Sequence, residues 1–145
     1  MRPTKILFAI LLFVFSFNCF SQNWLTSFEE AKSIASKENR KIVLVFSGSD
    51  WCGPCIKLDN EIWKTDEFQS YAKNNFVMIR ADFPRRKKNA LNSEQQEHNN
   101  KLAEAYNKNG FFPLVVVFDS TGKHIGETGY KKKSPKEYIK IIESL

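Results

Sequence analysis

KIVLVFSGSDWCGPC, residues 41–55, joins an apolar run to a Gly/Ser turn and then to two cysteines separated by two residues. Residues 42–46 show no polar alternation and are rich in β-branched side chains, which predicts a strand covered on both faces. Gly48 and Ser49 predict a turn. Pro54 suits the first turn of a helix, because the N–H it lacks would find no intrahelical partner there and its φ is already helical. The junction therefore reads as strand, turn, helix, with Cys52 at the helix N-terminus. Unpaired N–H groups and the macrodipole favour an anion at that point. A thiolate is such an anion, so Cys52 is expected below the free thiol value of about 8.5 and is the candidate nucleophile. Cys55 is within reach as the resolving thiol, and Gly53 leaves room for a partner chain.

The N-terminus is expected to be a leader. Arg2 and Lys5 precede an apolar stretch over 6–17, too short to span a bilayer as a helix and suited to the core of a signal peptide. Cys19 and Ser21 are small residues at the minus-three and minus-one positions of a cut before Gln22, which divides the chain into a cleaved signal peptide, 1–21, and one mature domain, 22–145. Export to the periplasm follows. An uncleaved leader would leave the protein membrane-associated. Lipidation of Cys19 is disfavoured, because Ser16, Phe17 and Asn18 are not the aliphatic and small residues of a lipoprotein signal.

With the leader removed, Cys52 and Cys55 are the remaining thiols. A structural disulfide gains little from so small a ring, since stabilisation grows with loop length. A zinc site needs two further ligands, and His98 and His124 are not in ligand spacing, so no metal is expected. The formal charge of +6 is a mild excess. Its clusters, Arg85-Arg86-Lys87-Lys88 and Lys131-Lys132-Lys133, read as solvated loops, and no nucleic-acid motif accompanies them.

Along the chain, Phe28, Ala31, Ile34 and Ala35 recur at helical spacing behind a cap at Thr26 or Ser27. Ile56, Leu58, Ile62 and Trp63 continue the helix after the cysteines, with a break near Lys64 and a new cap at Thr65. A second strand is expected over 76–81. A basic loop over 85–92 leads to a helix capped by Ser93 and running through Lys108, stopped by Asn109 and Gly110. The strongest strand signal, 114–118, is followed by turn residues and a hairpin partner over 123–128. Ser134, Pro135 and Glu137 form a capping box for a last helix. The order predicts an α/β fold with a central mixed β-sheet and helices on both faces.

Trp51-Cys52-Gly53-Pro54-Cys55 between a strand and a helix, with a Pro opening a later apolar strand, resembles the thioredoxin family. The likeness covers about 24–145. Locally, the stretch from Phe46 to Cys52, the strand end at Ala81-Asp82-Phe83-Pro84, and Gly110-Phe111-Phe112-Pro113 resemble a periplasmic bacterial branch, the DsbH-like disulfide oxidoreductases. This resemblance implies a thioredoxin fold, with Trp51, Gly53 and Pro54 tuning the dithiol. It implies that Pro113 follows a cis bond beside the dithiol, and that Phe112 and Pro113 form the substrate-docking edge. It also implies disulfide-bearing protein substrates; an exported reductase must be recharged, so the compartment implies a membrane electron donor of DsbD type. No cofactor and a monomer are expected.

The Gly-Pro pair resembles reducing members of the family. An isomerase or oxidase remains an alternative, as does a non-catalytic client-binding module using Trp51 and Phe112 as exposed aromatics. The family's buried Asp before the motif is missing, because Val45, Phe46 and Ser47 stand there. Asp50 and Glu61 are the nearest acids to serve as proton acceptor for Cys55, and each also reads as a solvated surface acid. Of Phe111 and Phe112, one is expected to pack inward and the other to contact substrate.

Overall fold

The computed structural model describes residues 23–145; the expected leader, Cys19 and the cut before Gln22 lie outside the described residues. Five α-helices and four strands follow in the order α1 (Phe28–Glu38), β1 (Lys41–Ser47), α2 (Gly53–Leu58), α3 (Asp66–Asn75), β2 (Phe76–Asp82), α4 (Ser93–Tyr106), β3 (Leu114–Phe118), β4 (His124–Thr128) and α5 (Pro135–Glu143). The sheet order is β2-β1-β3-β4, a mixed sheet as expected. β1 runs parallel to β2, while β3 runs antiparallel to both β1 and β4.

Strand alternation divides the core in two. Val43, Val45, Met78, Val115 and Val117 face α2, α3 and α5, where Leu58, Phe68, Ala72, Tyr138 and Ile142 are buried against them. Ile42, Leu44, Phe46, Val77, Ile79, Val116 and Phe118 face α1 and α4, meeting Phe28, Ala31, Ala35 and Leu102. Both faces of β1 and β3 are covered, which is why their sequences lack polar alternation.

Helix ends follow local chemistry, with two departures from expectation. Of the two expected alternatives, Ser27 is the cap of α1, accepting from the Glu30 N–H, and both departures lie in α4. α4 is capped by Asn92, whose side chain accepts from the Gln95 N–H at 2.8 Å, so Ser93 is already its first helical residue. α4 also ends at Tyr106 rather than Lys108. The cause is the next residue: the Asn107 amide both accepts from the Phe111 N–H and donates to the Phe111 C=O, each at 2.9 Å, and closes the loop that leads to β3. Gly110, at φ +64°, supplies the left-handed turn within it.

The expected break near Lys64 takes the form of a π-helical turn, Asp59–Trp63, before Thr65 caps α3. The extra residue per turn lets Leu58, Ile62 and Trp63 all bury on one side. Trp63 is the hub of that side, in edge-to-face contact with Phe68 at 4.7 Å, Tyr138 at 5.4 Å and Trp24 at 6.0 Å. Tyr138 is fully buried and donates its hydroxyl to the Gly129 C=O at 2.8 Å, and burial pushes that hydroxyl well above its ordinary range.

Trp63→Ala should destabilise the domain by about 3–5 kcal/mol, because it removes the largest fully buried side chain among the described residues and leaves a cavity. Tyr138→Phe should cost only about 1 kcal/mol, the worth of one buried hydrogen bond. Urea titrations would check both, and a Trp63→Ala cost no greater than that of Tyr138→Phe would contradict the hub assignment.

Candidate active site around the Cys52–Cys55 pair

The end of β1 and the end of β2 are stitched together before the cysteines begin. The Phe83 N–H donates to the Ser47 C=O at 2.8 Å, and the Ser49 N–H and hydroxyl donate to the two carboxylate oxygens of Asp82 at 2.9 and 2.5 Å. The turn then closes on Gly48, whose C=O accepts from the Trp51 and Cys52 N–H groups at 3.2 and 2.9 Å. A Cβ at Gly48 would collide with the Trp51 indole, so this turn demands glycine.

Cys52 is the N-cap of α2, and Pro54 lies in the first helical turn, as the sequence predicts. Cys52 and Cys55 form a disulfide with Cα atoms 5.2 Å apart, and Cys52 Sγ accepts from the Cys55 N–H at 3.2 Å. Each cysteine is 4% exposed. The same N–H that caps the helix is thus aimed at the sulfur, where it would favour a thiolate over a thiol. Beside the pair, Gly53 faces open space.

The start of β3 converges on this turn. β1 and β3 pair with Phe46 opposite Leu114, so β3 starts where β1 ends, and the peptide bond Phe112–Pro113 that precedes it is cis. Phe112 packs edge-to-face on Trp51 at 5.4 Å and on Phe83 at 5.6 Å. Pro113 is buried.

One site expectation needs correction. Trp51 and Phe112 are only partly exposed, because they cover each other and Phe83. The exposed large apolar side chains are instead Phe111, at 57%, and Ile56, at 43%. Asp50 and Glu61 are both engaged elsewhere. Asp50 accepts from the Arg85 N–H at 2.9 Å, the Arg86 N–H at 3.0 Å and the Asn89 amide at 2.8 Å, and Glu61 accepts from the Tyr130 hydroxyl at 2.7 Å. His98 Nε2 accepts from the Phe28 N–H, while His124 lies against Tyr106 and Phe118. No group of three or more His, Cys, Asp or Glu among the described residues could hold a metal ion.

Sequence reasoning missed what Asp50 does with its position. By binding two successive backbone N–H groups it hangs the basic loop over the site, and the Arg85 guanidinium lies 3.7 Å above the Trp51 ring. Trp51 itself is fixed by its Nε1–H, which donates to the Phe83 C=O at 2.7 Å. The usable signal was an acid directly before Trp51 in a chain with an Arg-Arg turn after its second strand.

Residues 28–145 match the family model for the thioredoxin-like domain. The chain belongs to the thioredoxin-like family. It is 33% identical over 118 residues to the disulfide bond reductase DsbH of Chlamydia pneumoniae, across 81% of this chain and 69% of that one. A solved DsbH oxidoreductase superposes with a TM-score of 0.77 at 32% identity, covering 86% of this chain and 83% of that one. A disulphide isomerase from Xylella fastidiosa, at TM-score 0.60, 20% identity and coverage of 80% and 86%, shares the fold. The chain is a DsbH-like thiol-disulfide oxidoreductase with a C-x-x-C redox pair.

The Asp50 anchor should be sensitive to acid. The Arg85 N–H first, then the Asn89 amide and the Arg86 N–H, hold the Asp50 carboxyl below its ordinary 3.8. A carboxyl lowered on folding stabilises the folded arrangement above its ordinary value and ceases to do so as pH falls through the lowered one. The Arg85 and Arg86 amide resonances should therefore shift together below pH 3.8, and Asp50→Ala should abolish that transition. Amides that titrate unchanged in the variant would assign the anchor to another group.

Proposed function

We propose that this chain is an exported, periplasmic reductase of protein disulfides, with residues 1–21 as its cleaved signal peptide and 22–145 as the thioredoxin-like domain. The observation that carries the chemistry is the unequal setting of the two sulfurs, since Cys52 Sγ caps α2 and accepts the Cys55 N–H. In this reading the Cys52 thiolate attacks one sulfur of a substrate disulfide. A Cys52–substrate disulfide forms as the substrate S–S bond breaks, and the departing substrate thiolate takes a proton. Cys55 then loses its proton and attacks Cys52 Sγ, which releases the second substrate thiolate and leaves the Cys52–Cys55 disulfide. Two electrons pass from the dithiol to the substrate.

Trp51, Gly53 and Pro54 shape the pair, and Phe112 and Pro113 form the docking edge where β3 meets the motif. The partly exposed Phe112 acts there through its packing on Trp51, while Phe111 is the ring that reaches solvent. Substrates are disulfide-bearing proteins. A membrane electron donor of DsbD type restores the dithiol, since an exported reductase leaves each turnover oxidised and lies outside the cytoplasmic thiol pool. The name of the Chlamydia pneumoniae relative, a disulfide bond reductase, supports the direction.

Titration of the pair against a dithiothreitol buffer should give a potential close to about −270 mV. A value above about −180 mV would make the protein an oxidant or isomerase instead. Cys55→Ser should accumulate mixed disulfides with substrate proteins and Cys52→Ser should not; the opposite pattern would exchange the two roles.

A further inference from the structure

The loop over 83–89 carries Arg85, Arg86, Lys87 and Lys88 with no acid among them. All four cations are exposed, and none forms a salt bridge among the described residues. The nearby acids form no ion pair with them, although the Asp50 charge is felt by Arg86. Both oxygens of Asp50 are occupied by N–H donors of the loop, and both oxygens of Asp82 by Ser49. A solvated loop would leave its charges where chance put them. Here the Asp50 anchor and the Trp51 ring hold one guanidinium at a fixed place, 3.7 Å above the residue that precedes Cys52.

A guanidinium stacked on an indole keeps its N–H edge free to donate, so the stacked face supplies position while the edge remains able to grip a carboxylate. We propose that Arg85 is a specificity-determining residue that selects disulfide substrates carrying acidic residues next to the reacting cysteine, with Arg86, Lys87 and Lys88 extending the attraction. This rests on the assignment of Cys52 and Cys55 as the pair that exchanges with protein disulfides. The substrate backbone would lie over the open space beside Gly53, with its acidic flank toward the loop over 83–89. Asp50 is the positioning residue for this grip, acting through the loop it holds.

The test compares two peptides with one intrachain disulfide, identical except that two aspartates in one are two lysines in the other. Exchange is followed in whichever direction the pair runs, reduction of the peptide disulfide or oxidation of the peptide dithiol, and the readout is the ratio of the two rates. The wild-type protein should exchange about tenfold faster with the aspartate peptide at low salt, as expected when several charge contacts act together. About 0.5 M salt shortens the screening length to roughly 4 Å and should bring the ratio near one. Arg85→Glu should drop the low-salt ratio to one or below, and Arg85→Lys, which keeps the charge but not the flat stack, should fall between. Because the readout is a ratio, a general loss of folding or turnover in a variant divides out. A wild-type ratio near one, or an unchanged ratio in Arg85→Glu, overturns the assignment. An oxidising potential with the ratio intact would overturn only the reductase direction, and exchange with neither peptide would overturn both readings.

Discussion

The antiparallel pairing of β1 with β3 is the constraint on which the site depends. With Ile42 opposite Phe118 and Phe46 opposite Leu114, the chain enters β3 at the very end of the sheet where β1 leaves it. A parallel arrangement of the same two strands would have sent Pro113 to the far edge of the sheet. Because both strands are buried on both faces, a slip of one residue would also move every side chain of β3 to the wrong core. Register therefore fixes at once the core and the approach of residues 112 and 113 to the cysteines.

What holds the top of the site is a different kind of interaction, a set of polar ties between loops. Ser47, Ser49 and Asp50 from the end of β1 meet Asp82, Phe83, Arg85 and Arg86 from the end of β2. β1 and β2 are parallel neighbours, so their ends coincide, and the loops that leave them must satisfy one another's backbone groups. Trp51 is the common partner. Its Nε1–H is bound to the Phe83 C=O, one edge meets Phe112 and one face meets Arg85. Gly48 makes the space for it.

The elements that bury apolar runs were legible because the signal is local: residues 42–46 and 114–118 could hardly be anything but covered strands, and the Ser134 capping box appears as expected. The cysteine pair was legible for the same reason, since Trp51 to Cys55 is contiguous. Long-range polar pairing was not. Nothing in the local pattern distinguishes Asp50 as a loop anchor from a solvated acid, because its partners are backbone N–H groups 35 and 36 residues away. Which of the two phenylalanines packs inward was not legible either. Phe112 packs on Trp51 and Phe83, in a loop that the Asn107 amide closes by gripping the Phe111 backbone.

The missing acid beneath the motif has a structural consequence. Val45, Phe46 and Ser47 occupy the end of β1 where the family resemblance would place a carboxylate, and all three are buried, Phe46 completely. A carboxylate put among these side chains would carry the desolvation cost of a buried charge. The two acids close by in sequence are tied to the loop over 85–89 and to Tyr130. The difference the structure shows between the sulfurs is a backbone one. In the proposed reaction one N–H, that of Cys55, points at Cys52 Sγ and favours negative charge there, whereas Cys55 lies one turn inside the helix, where N–H groups already serve the helix itself. In that proposal the helix cap supplies the asymmetry that orders the two steps.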